Sequence, residues 1–387
     1  MLADVAKRRV AMAKTETIGT RSTMKGDSMA YVFGCIFFVL ALMLSVPAEA
    51  QDVEPRPAYH APVAETALTL DITSAGRRYI AVGARGHVLL SSDGIEWEQA
   101  EFVPVQATLT RVAFAGGRLW AVGHDTTIIH SRDLGRTWSL QHFEPEWEQP
   151  LLDVHFYNAN EGVAVGSYGL FMRTRDAGET WEVLEMADLV TSEAIDWEQV
   201  VEQAEAFGVG GSGTMEAFED ESFFDEVEDY DRGCYEFQEC HLNAFLELDD
   251  ERRMIAAERG YGFRSTDGGA TWESFKFPYP GSMFGLVALG DGGILAFGLR
   301  GHVQRSSDFG DSWQVLETGM QSTLMGGIRI DPREVLMVGA GAARLHYDDL
   351  TGAFRLDEDR LGSTFVAVHQ ADDGTLIYAG EEGLTHE

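Results

Sequence analysis

A segment of about 41 residues recurs along this 387-residue chain, and each copy holds a version of Ser/Thr-x-Asp-x-Gly-x-Thr/Ser-Trp. Full copies run from Ser131 to Trp138, Thr174 to Trp181, Ser265 to Trp272 and Ser306 to Trp313, with a shortened copy from Ser91 to Trp97 and a worn one around Asp348. The aspartates Asp93, Asp133, Asp176, Asp267, Asp308 and Asp348 are 40, 43, 91, 41 and 40 residues apart. A fixed period of this size constrains the fold more than any single residue does. It means one supersecondary unit repeated and stacked, not a single globular core.

Within a repeat the pattern is constant. An apolar run (Leu151 to Phe156) leads through a turn to a small-residue run (Val163 to Gly166), then a tight hairpin, a third run (Leu170 to Thr174), the aspartate turn, and a fourth run from Trp181. Short strands with Gly and Asn punctuation at regular spacing predict four antiparallel strands per unit. The 50-residue leader leaves 337 residues, and setting aside about 50 for one insertion leaves seven repeats of 41. The expected fold is all-β: a seven-bladed β-propeller spanning residues 51–387, with four-stranded blades. The last repeat stops after its third strand, so the segment around Tyr59 to Glu65 is expected to supply the missing strand and close the ring.

Residues 1–50 read as a leader. Tyr31 to Val46 is an uncharged run of 16 residues after Met24-Lys25, and Ala48-Glu49-Ala50 has the small-x-small form of a secretory cleavage site, with cleavage expected before Gln51. The run is shorter than the ~20 residues of a membrane-spanning helix. The expected location is therefore periplasmic.

The motif chemistry reads as structural. Aspartate and Ser/Thr side chains accept hydrogen bonds from backbone N–H groups in turns. Glycine takes positive φ, and tryptophan buries a large ring with one polar handle. Calcium is the alternative for a repeated aspartate, but the dense oxygen ligands of a calcium loop are missing. No metal or cofactor is expected. The motif resembles the Asp-box, or bacterial neuraminidase repeat. The fuller pattern, Val-Gly-x-x-Gly before an apolar strand and Asp-x-Gly-x-Thr-Trp, is most similar to the photosystem II assembly and stability factor family and its non-photosynthetic relatives. The resemblance covers Leu68 to the C-terminus outside the insertion. It implies an exported, non-catalytic propeller that helps assemble a membrane protein complex. Separately, a transporter is one candidate partner, and peripheral membrane association and a monomeric free state are expected.

The chain departs from that family in residues 187–240, an acidic, partly helical or disordered insertion expected between blades 3 and 4. Glu185 to Cys240 holds 18 acidic residues against one arginine, about half the net −36 that the chain carries beyond its leader. Such a charge excludes nucleic acid, whose binding needs cationic phosphate contacts. The insertion is either a solvated loop or, because Phe218, Phe223, Phe224, Val227 and Tyr230 interleave with its carboxylates, a docking segment. Cys234 and Cys240, the only cysteines past the leader, are expected to form a disulfide.

Hairpins between second and third strands are expected to open on one face and to carry Arg85, His87, His124, Tyr168, Arg259, Tyr261, Arg300 and His302. They are either ordinary polar tips or a partner- or anion-binding face, arginine being suited to bidentate carboxylate recognition. A glycan-binding or sialidase-like glycoside hydrolase propeller is the alternative function. Arg85, Arg259 and Arg300 could nominally clasp a carboxylate, with Tyr168 or Tyr261 as nucleophile. The Arg-Ile-Pro segment typical of sialidases is absent, as are Gly-x-Ser-x-Gly and His-Glu-x-x-His. No enzyme is expected.

Overall fold

The computed structural model of the chain describes residues 53–190, 240–357 and 362–387. The chain divides into two units, Met1–Val53 and Glu54–Glu387. The leader, Cys234 and nearly all of the insertion lie outside the described residues.

The second unit is a seven-bladed β-propeller of antiparallel meanders. Blade 1 comprises Thr69–Ala75, Arg78–Gly83, Val88–Ser91 and Glu98–Gln99; blade 2 comprises Leu109–Ala115, Arg118–Gly123, Thr127–Ser131 and Ser139–His142. Blade 3 is Leu151–Phe156, Gly162–Gly166, Leu170–Thr174 and Glu182–Glu185; blade 4 is Leu242–Glu247, Arg253–Ala257, Tyr261–Ser265 and Glu273–Lys276. Blade 5 is Met283–Ala288, Ile294–Gly298, Val303–Ser306 and Gln314–Leu316; blade 6 is Leu324–Arg329, Glu334–Gly339, Ala343–Asp348 and Ala353–Asp357. Blade 7 has three strands, Phe365–Gln370, Leu376–Gly380 and Gly383–His386. The first strands of successive blades, blade 7 to blade 1 included, pack on one another and so surround the axis.

There is no single core. Seven apolar clusters each fill one blade-to-blade interface, for example Ile80, Leu90, Leu119 and Trp138 between blades 1 and 2, and Leu336, Val338, Val368 and Tyr378 between blades 6 and 7. Second strands such as Gly162–Gly166 are buried on both faces, which is why they read as unbroken small and β-branched runs. The glycine ending those strands has a steric reason. A β-carbon at Gly123 would stand 2.0 Å from the Thr108 carbonyl oxygen, which accepts a 2.9 Å hydrogen bond from His124 N.

The aspartate turns close through a repeated network. In blade 2, Ser131 Oγ donates to Asp133 Oδ1 and accepts from Gly135 N, while Thr137 N and Oγ1 donate to the two Asp133 carboxylate oxygens at 3.0 and 2.6 Å. Trp138 Nε1 then donates to the Gly135 carbonyl at 2.9 Å, with the ring buried. Asp176, Asp267 and Asp308 repeat the carboxylate part of this network. Asp93 keeps the bond from Ser91 Oγ and accepts from Ile95 N and Glu96 N, while Asp348 accepts from Leu350 N and Thr351 N. Trp272 is likewise buried, whereas Trp181 and Trp313 are half-buried.

The ring closes differently from expectation. Among the described residues no N-terminal strand joins blade 7. Ala64–Thr66 instead forms a single 3₁₀ turn beside Gly383, where a β-carbon would meet the Glu65 carbonyl oxygen at 2.0 Å. The reason is chemical. Pro62 has no N–H to give a ladder, and the Gln99 side chain already takes Ala61 N and the Tyr59 carbonyl, at 3.0 and 2.7 Å. Closure rests on side chains, with Ile72, Tyr79 and Leu89 of blade 1 packed on Ala367, Ile377 and Ala379 of blade 7.

Candidate functional site

In a four-stranded meander every hairpin between second and third strands emerges on one face. The tips are tight and strained. Arg85, Tyr168, Arg259 and Arg300 have φ of 59°, 56°, 57° and 56°, each followed by a glycine at 71–75°. Two successive left-handed residues make a type I′ turn, which suits the twist of the flanking strands. Asn or Asp normally fills its first position. A long side chain there costs about 1–2 kcal/mol relative to the right-handed region. The four side chains are exposed, Tyr168 by 48%. Blade 2 presents Asp125 at the same place, beside exposed His124.

The remaining expected residues point elsewhere, because a strand begins right after each tip and its alternation turns them inward. His87 is buried, and burial, with Arg85 next, holds its pKa below the usual imidazole value. Tyr261 is buried, with Lys276 Nζ 4.7 Å from its ring centre, which removes it as a surface nucleophile. His302 stacks on Tyr279 with ring centres 3.6 Å apart. Tyr168 meets His241 edge-on at 5.1 Å, and its hydroxyl has no carboxylate partner among the described residues. The tips of blades 1, 3, 4 and 5 therefore share one face, and the histidines and Tyr261 behind them brace it.

Past residue 50 the chain has a single lysine, Lys276, so its cations are arginines able to bind carboxylates through two N–H groups. Many are spent on internal pairs such as Arg132–Glu179 and Arg264–Glu273. Arg85 and Arg300 form no ion pair among the described residues.

The chain rejoins the ring near this face. The Cys240 carbonyl accepts from Gly169 N, at the Tyr168 hairpin, at 2.7 Å. Cys240 is buried and held in a disulfide. Its expected partner Cys234 lies outside the described residues.

A second polar cluster lies on the axis. Each inner strand carries a bulge near its start, and the residue after it turns toward the channel. In blades 1 to 3 this residue is Asp71, Arg111 and Asp153. Arg111 Nη1 lies 3.4 Å from Asp71 Oδ1 and its Nε 3.1 Å from Asp153 Oδ1. Burial opposes the arginine charge, but Asp153 and Asp71 outweigh it and raise its pKa. Burial also raises the Asp71 pKa, against the pull of Arg111. Each carboxylate also caps the inner strand of the next blade: Asp71 Oδ2 accepts from Val112 N at 2.9 Å and Asp153 Oδ2 from Phe245 N at 2.7 Å. Blades 4 to 6 have Ala244, Gly285 and Gly326 at the equivalent place, leaving an axial cavity of about 240 Å³. The sequence signal for this cluster is a charged residue in the first apolar run of three successive repeats, spaced by 40 and 42 residues.

Among the described residues no group of three or more His, Cys, Asp or Glu is placed to hold a metal ion, and no helix is long and apolar enough to cross a membrane.

No protein-family model matches the chain, and no curated protein sequence matches it. Solved structures do. The chain is similar to YCF48 bound to a D1 peptide, with TM-score 0.60 and 18% identity over 87% of this chain and 97% of that one. YCF48 from Cyanidioschyzon merolae gives TM-score 0.60 and 17% identity over 84% and 96%. The WD40 propeller domain of Doa1 gives 0.57 and 11% over 86% and 95%. At these identities the likeness is one of fold, the propeller that all of these chains share.

Proposed function

We propose that this chain is an exported, non-catalytic propeller that binds a segment of a partner protein on its hairpin face and thereby helps assemble or stabilise a membrane protein complex, a transporter among the candidates. One observation carries the reading. The hairpin face holds Arg85 and Arg300 outward on left-handed tips, a strained placement in which neither forms an ion pair among the described residues, in a chain many of whose other arginines are paired within the ring. Strain kept at a surface position is characteristic of sites that bind. A protein of the same fold has been solved with a D1 peptide, which supports a peptide segment as the ligand class. Acidic or C-terminal carboxylates on that segment would suit the guanidinium forks.

Affinity capture from a native envelope fraction tests this, comparing the wild-type chain with an Arg85→Glu/Arg300→Glu variant that leaves the blades intact. A membrane complex recovered with the wild type and lost with the variant is the expected result. Equal recovery by both would remove the hairpin face from the account. Sialoside hydrolysis that the same variant abolishes would replace the scaffold with a glycosidase.

A further inference from the structure

We propose that the axial chamber binds a compact zwitterion of the α-amino acid class. This goes beyond the partner reading and does not rest on it. The register of the inner strands carries the argument. Val112 and Phe245 pair with Ala121 and Ile255 of their second strands and turn their N–H groups to the axis, where Asp71 and Asp153 take them. Leu286 and Gly327 hold the same register position, opposite Ala296 and Met337, so their N–H groups face the axis too. The residues that would supply their carboxylates are Ala244 and Gly285; Ala244 has none, and at Gly285 the Phe297 ring fills the place, its Cζ 2.2 Å from where a β-carbon would stand.

The chamber therefore has two unlike walls. On one side Asp71 and Asp153 outnumber Arg111 by one negative charge. On the other, the Leu286 amide lacks the side-chain acceptor that its counterparts have, beside the apolar Phe284, Phe297 and Met325. A simple anion meets the surplus carboxylate, and a simple cation leaves the amide uncapped. A molecule with both groups satisfies both walls, its carboxylate accepting from Leu286 N beside Ala244 and its ammonium lying against Asp71 and Asp153. The space is sufficient: about 240 Å³ exceeds the ~150 Å³ cavity that admits a benzene ring. It is small for a drug-sized ligand.

Calorimetric titration of the whole chain with the twenty standard α-amino acids, and with acetate and methylammonium as half-ligands, is the test. Saturable binding of one or more amino acids, at least about tenfold tighter than either half-ligand, is expected. Met325→Trp, which fills the chamber from a half-buried position, should abolish it. Asp153→Asn keeps an acceptor for Phe245 N but removes the surplus charge, and should weaken it about tenfold. Arg85→Glu/Arg300→Glu should leave it unchanged, which separates this outcome from that of the partner reading. Absence of saturable binding across the panel, half-ligands binding as tightly, or full affinity in both chamber variants would overturn the proposal.

Discussion

A left-handed arginine is the least economical residue in this molecule. Replacing Arg85 or Arg300 by glycine relieves the β-carbon clash at the tip and adds back some chain entropy to the unfolded state. The net expectation is a gain of about 0.5–1 kcal/mol in stability with a loss of partner capture, read from urea midpoints and pull-downs on the same preparation. Stability gained together with binding lost would be hard to explain for a merely structural tip. The aspartates of the turns behave in the opposite way. Hydrogen bonds from their neighbours hold Asp176 and Asp308 below the normal carboxylate pKa, Asp308 at about 2. A depressed folded-state pKa stabilises above the unfolded value of 3.8 and loses that contribution as pH falls through the folded value. Unfolding by acid should therefore set in below about pH 4 and progress toward pH 2. Asp133→Ala should cost about 1–3 kcal/mol at neutral pH by stripping Thr137 and Ser131 of their acceptor, measured by chemical denaturation. Asp71 has the reverse sign. Its pKa is raised by burial, so its contribution is fully present below 3.8 and is lost as pH rises through the folded value.

At the level of strands and blades, the interfaces matter more than the sheets themselves. Ile377 is fully buried at the seam between blades 7 and 1, and Ile129 is fully buried between blades 1 and 2. If side-chain packing alone closes the ring, truncating either to alanine should cost a similar amount, about 2–4 kcal/mol. A much smaller loss at Ile377, by equilibrium denaturation, would mean that the seam bears little of the load. The blades were legible in the sequence because the period, the turn glycines and the small-residue second strands all report local geometry. The closing element was not. A segment with spare length next to a three-stranded blade reads as a strand, but Pro62 and the Gln99 side chain remove the main-chain partners a strand needs. Among the site residues, Arg85, Tyr168, Arg259 and Arg300 were legible as tips from the glycine that follows each. His87 and Tyr261 were not legible as buried, nor His302 as half-buried against Tyr279, because one residue of register decides whether a side chain beside a hairpin faces water or a neighbouring blade. Asp71, Arg111 and Asp153 show the same limit: their shared spacing is visible, but only the bulge turns them to the axis.

Taken whole, the chain is strongly acidic, with a net charge of −34. Self-repulsion at this charge opposes the compact state and is screened by salt. The urea midpoint should therefore be higher in 0.5 M than in 0.05 M sodium chloride at neutral pH, values chosen to bracket a Debye length of roughly 10 Å. An unchanged midpoint would mean that internal pairs such as Arg264 with Glu273 and Asp311 already neutralise the field locally. Finally, Val190 and Cys240 sit in one and the same apolar cluster between blades 3 and 4, and Val190 bridges directly to Trp272. Their side of the ring is thus sealed independently of whatever chain runs between them. Because loop-closure cost grows only with the logarithm of length, this joint is a ready-made graft point, able to carry a foreign module without loosening the wheel around it.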